Sequence, residues 1–205
     1  VSVRDELSRL ASSDPRVTQL RADAERELVR GVFERARDLL SEAAVIDAAS
    51  RSELKANYVE RTLSEAATRF VSGGAARAEL RYDLAVTDLE KAVALFAEAG
   101  NDIPAGDFDR SLAALQTLGD TYVTVGNIAA AETAYAALED HATTRVGSEP
   151  SYRHDLSIAR SRLGSTRLAL GDLPAALAAF RAAIEALDAA PDDMARNGEW
   201  RRSRA

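Results

Sequence analysis

The chain has 205 residues, 46% of them hydrophobic and 29% charged, enough apolar material for one elongated domain or two small ones. It contains no cysteine, which excludes disulfides and thiolate metal sites. A net charge of −7 and a pI near 5.0 withhold the basic stripe that a phosphate backbone selects, so nucleic acid is not an expected partner.

Alanine leads the apolar count and aromatic residues are only 5%, a balance that suits closely packed helices and leaves almost no strand. No apolar run approaches the roughly 18 residues that span a bilayer. The opening VSVRDELSRL lacks the basic and apolar regions of a signal peptide, so no membrane partner is expected and the cytoplasm is the default location.

In chain order, residues 1–14 read as an N-terminal capping segment. Asp14-Pro15 is an N-cap followed by proline at the first helical position, and Val17, Leu20, Ala24 and Leu28 follow at helical spacing to Gly31. A second helix from about Val32 carries Phe33, Ala36, Leu39, Leu40 and Ala43 and ends near Ala48-Ala49-Ser50. From Ser50 to about Leu80 the pattern is one long helix with Leu54, Tyr58, Leu63, Ala67, Phe70 and Val71 apolar, interrupted only by Ser72-Gly73-Gly74. Two glycines inside a helix cost about 1 kcal/mol each relative to alanine, so close approach of a neighbour at Gly73 is the expected compensation. The partner helix runs from about Tyr82 to a cap at Gly100. Residues 101–107 are dense in turn formers and mark a hinge between halves. Four hairpins result, at about 15–49, 50–100, 104–147 and 150–190, and residues 191–205 form a C-terminal capping helix or the start of a further repeat.

The two clearest hairpins share a pattern. Gly119, Tyr122, Gly126, Ala131, Tyr135 and Leu138 recur 45 residues later as Gly164, Arg167, Gly171, Ala176, Phe180 and Ala183. Weaker copies run through Gly73, Leu80, Ala85, Leu89 and Ala92, and through Ala24, Gly31, Ala36, Leu40 and Ala43. A fixed period of a few tens of residues marks a solenoid whose hairpins bury their apolar faces by stacking on neighbours. The small residues are then structural, placed where two helices cross closely, and the bulky ones fill the gap between hairpins.

The motif Leu118-Gly119…Tyr122…Gly126…Ala131…Tyr135 resembles the tetratricopeptide repeat, and SYRHDLSIARSRLGSTRLALGDLPAALAAFRAAIEAL looks like its long-period bacterial variant. The resemblance implies an all-α, right-handed superhelical solenoid of antiparallel helix pairs. It also implies a non-catalytic scaffold that takes a peptide or helical segment in a concave groove, as part of a larger bacterial protein with a sensor or effector domain. In that fold the groove presents Arg21, Glu25, Phe70, Arg77, Gln116, Asp120, Ser161, Ser165 and Leu168. The asparagines and lysines of the carboxylate-gripping members are replaced here by Glu25, Gly74, Asp120 and Ser165, which speaks against that clamp. Phe70 beside Gly73-Gly74 either belongs to the core or lines a groove for a peptide.

Catalytic, metal and cofactor sites are not expected. His141 and His154 stand beside carboxylates, but sequence neighbours on a helix point in different directions, and both read as surface histidines. Phosphate loops and nucleophile elbows need strands that this sequence lacks. Arg153, Arg160 and Arg167 are seven apart and share one helix face, drifting about 20° per step. They either pair with acidic neighbours at the seam between hairpins or dock an acidic partner. Glu199-Trp200-Arg201-Arg202 echoes Ser151-Tyr152-Arg153-His154 48 residues earlier, as a further repeat in an excised piece or as a native cap. An uncapped end near Tyr152, Arg153, Arg160, Arg167 and Trp200 provides the alternative function, homo-oligomerisation through the C-terminal end.

Overall fold

The computed structural model describes residues 12, 14–100 and 103–188, and its regular elements are all helical. They are α1 (Pro15–Arg30), α2 (Phe33–Ala78), α3 (Tyr82–Ala99), α4 (Ala105–Thr124), α5 (Ile128–Val146), a 3-10 turn (Pro150–Tyr152), α6 (Arg153–Ala169) and α7 (Leu173–Asp188). The all-α expectation holds. The terminal capping segments, Trp200 included, lie outside the described residues apart from Ser12 and Asp14. No described helix is long and apolar enough to cross a membrane.

The chain divides into two compact units, Val1–Glu60 and Arg61–Ala205. In the first, the Asp14 carboxylate accepts from the Arg16 N–H at 2.8 Å and Pro15 starts α1, as its sequence requires. Val17, Ala24, Ala36, Leu39 and Ala43 are buried, and Leu20, Leu28 and Leu40 pack around Ala24, Ala36 and Leu39. Arg21 Nη2 meets Asp47 Oδ2 at 2.7 Å, joining α1 to α2.

Two expectations about boundaries are corrected here. The break near Ala48-Ala49-Ser50 does not occur, because α2 runs unbroken for 46 residues. That stretch holds neither glycine nor proline, and alanine is the strongest helix former, so nothing local stops the helix. Leu54 and Tyr58, expected on an apolar stripe, are 70% and 55% exposed. The hinge expected at 101–107 is not the division between units either. Ile103 is buried and its carbonyl accepts from Arg145 Nη2 at 2.6 Å, while Asp107 already lies in the first turn of α4.

In the second unit the small residues do what their spacing demands. A Cβ on Gly73 would lie 2.7 Å from Leu89 Cγ, one on Gly119 2.4 Å from Tyr135 Cε1, and one on Gly164 2.7 Å from Phe180 Cε1. Each glycine faces the bulky residue 16 positions later, so the two helices of a hairpin approach until a side chain rests on bare backbone. Gly74 meets nothing within 4 Å, so close packing explains only the first glycine of that pair.

Each helix from α3 to α7 packs on the next in sequence. The turns inside the hairpins share one construction. Gly31, Leu80, Gly126 and Gly171 all have positive φ, at 78°, 62°, 81° and 86°. In each case the following residue donates its N–H to a carbonyl five residues back: Val32 to Glu27, Arg81 to Ala76, Asn127 to Tyr122 and Asp172 to Arg167. This left-handed cap satisfies carbonyls that a helix end otherwise leaves open. Only Leu80 holds it without glycine.

Candidate functional site

The second unit contains an open pocket of about 360 Å³. Arg77 from the end of α2, Asp120, Val123 and Thr124 from α4, Ile128 and Tyr135 from α5, and Arg162, Ser165, Thr166 and Ala169 from α6 line it. The repeat contact places its carboxylate. With its ring lying on Gly119, Tyr135 directs its hydroxyl to Asp120 Oδ1 at 2.5 Å. Burial, with the hydrogen bond to Asp120 next, pushes the Tyr135 phenol well above its ordinary value, so it stays a donor.

Opposite this pair, Arg162 Nε lies 3.5 Å from Asp120 Oδ1, a loose contact for an ion pair. Arg77 makes no hydrogen bond or ion pair among the described residues. Two arginines and one carboxylate thus line the pocket, and the carboxylate already accepts from Tyr135. The Thr124 and Thr166 hydroxyls are occupied by carbonyls of their own helices, and Ser165 Oγ donates to Ser161 O at 3.1 Å. Val123, Ile128 and Ala169 give the pocket an apolar wall. Such a lining suits an acidic or carboxylate group carried beside an apolar one.

No protein-family model, curated protein or solved structure matches this chain.

Of the nine groove positions expected from the sequence, Arg77, Asp120 and Ser165 converge in this pocket. Ser161 and Leu168 lie on the same helix as Ser165 but do not line it, and Gln116 is half-buried one turn before Asp120. Phe70 packs against the Leu89, Leu118 and Ala134 cluster and belongs to the core. Arg21 and Glu25 lie in the first unit, where Arg21 lines a separate hollow of about 450 Å³ with Leu40, Ala43 and Asp47. Sequence reasoning missed Arg162 and Tyr135. The signal was present, since Arg162 is three residues before Ser165 and so shares its helix face.

The C-terminal set falls differently. Arg160 Nε donates to Glu139 Oε1 at 2.7 Å and its Nη1 to Ala182 O at 3.0 Å, while Arg167 Nε donates to Glu132 Oε1 at 3.0 Å. Tyr152 is buried, its ring 5.0 Å from Phe108 and its hydroxyl donating to Asp109 at 3.0 Å. Arg153 is half-buried at the start of α6. Tyr152, Arg160 and Arg167 are thus engaged within the second unit, and Trp200 lies outside the described residues.

The histidine expectation is corrected too. Both histidines are half-buried, and His141 stacks on Phe108 at 4.3 Å with the Arg145 guanidinium 4.0 Å over the same ring. Ser111 Oγ lies 2.6 Å from His141 Nε2, a distance a nucleophile and base would show. Yet Ser111 is 2% exposed and its hydroxyl donates to Phe108 O at 2.7 Å. A buried oxygen whose proton is committed to a carbonyl cannot meet a substrate, and the pair acts as a structural knot. Burial first, then the Arg145 charge, holds the His141 pKa below its ordinary value, so the ring stays neutral.

Proposed function

We propose that this chain is a non-catalytic, tetratricopeptide-like interaction scaffold that holds an acidic segment of another polypeptide across the Arg77–Arg162 pocket. The observation that carries the reading is the excess of guanidinium over carboxylate in an open pocket with an apolar wall. Among the described residues Arg77 has no competing ion pair or hydrogen bond and Arg162 only a 3.5 Å contact, so a carboxylate from outside gains two charged donors at little internal cost. Preformed helices lose little entropy on association, which favours a scaffold role. The repeated glycine contacts and sequential helix packing support an array of stacked hairpins, and the resemblance to the tetratricopeptide repeat implies a right-handed superhelix that serves as the regulatory or sensor part of a larger bacterial protein, with the cytoplasm as the default setting.

The test is fluorescence anisotropy with labelled peptides that alternate acidic and aliphatic residues, against charge-reversed lysine versions. The reading expects binding of the acidic set, lost with Arg77→Ala and Arg162→Ala and weakened by salt. Equal binding of acidic and basic peptides, or binding untouched by both substitutions, contradicts it. Self-association is a second reading, favoured by the exposure of Leu173, Leu177 and Ile184 on α7.

A further inference from the structure

Arg160, Arg162 and Arg167 on α6 each approach a carboxylate through Nε, and the middle one stands apart. Arg160 reaches Glu139 at 2.7 Å and Arg167 reaches Glu132 at 3.0 Å, both on α5. Arg162 stays 3.5 Å from Asp120 Oδ1, and its side chain is 47% exposed against 25% and 31% for the other two. The same Oδ1 accepts the Tyr135 hydroxyl at 2.5 Å. Tyr135 has little freedom to release it, since the residue is 1% exposed and its ring rests on Gly119. Burial, then the bond to Asp120, raises the Tyr135 pKa, and the charges of Arg162 and Arg77 oppose them, so both guanidinium groups lie within electrostatic reach of this hydroxyl. Of the described residues lining the pocket, Arg77, Arg162 and Asp120 are charged, and two positive charges against one negative leave a single positive charge.

Resting on the acidic-segment reading of that pocket, we propose that Asp120, held by Tyr135 short of a tight pair with Arg162, makes it a site for one carboxylate beside an aliphatic side chain and turns away the phosphate of a phosphorylated segment. A monoanion cancels the single positive charge. Phosphoserine carries about −1.5 to −2 at neutral pH, so its second charge finds no match and is repelled by Asp120 where water screens only in part. Val123, Ile128 and Ala169 supply the apolar contact for the neighbouring side chain. Tyr135 is a positioning residue here, and it and Asp120 act in opposite senses. Without the tyrosine hydroxyl, Asp120 is free to close on Arg162 and to compete with the incoming carboxylate. Without the Asp120 charge, both arginines are open and a dianion is matched as well as a monoanion.

Fluorescence anisotropy at neutral pH tests it, with labelled aliphatic peptides that carry a single glutamate or, at the same place, a single phosphoserine. The wild-type chain should bind the glutamate peptide about tenfold more tightly. Asp120→Asn should raise glutamate binding about tenfold and phosphoserine binding about a hundredfold, so that the preference disappears. Tyr135→Phe should instead weaken glutamate binding about fivefold. Both substitutions remove the same hydrogen bond, so a merely structural role would move binding in one direction only. Equal wild-type affinities for the two peptides, a preference that survives Asp120→Asn, or both substitutions shifting glutamate binding the same way overturns the choice of anion alone. If Tyr135→Phe fails to fold, the Asp120→Asn comparison decides. A wild-type chain that binds neither peptide overturns the acidic-segment reading itself, and the choice of anion with it.

Discussion

The hairpin α4–α5 and the hairpin α6–α7 share a construction and differ in what surrounds it. Both press a glycine against a ring, Gly119 on Tyr135 and Gly164 on Phe180, and both turn on a left-handed glycine, Gly126 and Gly171. In both turns a side chain caps the second helix, Asn127 Oδ1 accepting from Ala130 N–H and Asp172 Oδ1 from Ala175 N–H. Yet Tyr135 is buried and bonded to Asp120, whereas Phe180 is partly open. The comparison teaches that conserving a hairpin's interior leaves its outer positions free to carry a pocket, an ionic seam or an apolar face.

The largest effect should separate the two glycines. Gly119→Ala drives a methyl into a buried ring whose hydroxyl is anchored, and overpacking of this kind costs about 1–3 kcal/mol. At Gly164 the Phe180 ring has room to tilt, and alanine gains about 1 kcal/mol as a helix former, so Gly164→Ala should be near neutral. Urea denaturation of both variants measures the gap. Equal losses would break the comparison.

A smaller gain is expected at the turn between α2 and α3. Leu80 adopts the conformation that glycine fills in the other three turns and is 70% exposed, so it contributes little packing there. Leu80→Gly should stabilise the protein by about 1 kcal/mol, seen as a higher urea midpoint with unchanged slope. A lower midpoint would mean that the leucine makes contacts worth more than its backbone strain.

At the seam, Arg160→Ala removes bonds to Glu139 and to Ala182 O, both part-exposed, and should cost about 1 kcal/mol or less after screening. The cost should shrink in 1 M salt. A salt-independent loss would assign the effect to the buried arginine stem.

The smallest effect concerns pH. Because the folded His141 pKa lies below its ordinary 6.5, the stability held by the neutral ring is complete above 6.5 and is lost as pH falls through the folded value. Asp155 has the opposite sign. Burial first, then Asp109, raises its pKa above 3.8 against a lowering influence of His154, so its penalty at neutral pH is relieved on acidification. His141→Gln should flatten the fall in melting temperature between pH 7 and 5. An unchanged profile would place that pH dependence elsewhere.

The helices and the glycine contacts were legible because they rest on local rules. A glycine 16 residues before a bulky side chain, and a left-handed turn between them, leave a pattern in one sequence. The continuity of α2 was not, because a serine after two alanines looks like a cap when nothing in the sequence says which way the chain goes. Arg77, Asp120 and Ser165 were placed in the groove by the repeat resemblance; Arg162 shares the helix face of Ser165, but its reach from α6 to Asp120 on α4 shows only in the packed chain. The arginine stripe left two readings open for the same reason. Its acceptors, Glu132 and Glu139, lie on the preceding helix, and only packing brings them within 3.0 Å.

The central claim, that each hairpin of the second unit is held by a bulky side chain resting on bare backbone, is tested most directly by a double-mutant cycle on Gly119 and Tyr135. Urea denaturation is measured for Gly119→Ala, Tyr135→Ala and the double variant. The account predicts that Gly119→Ala is costly beside Tyr135 and neutral or stabilising once the ring is gone, a coupling of about 2 kcal/mol. Equal costs of Gly119→Ala in both backgrounds would contradict it.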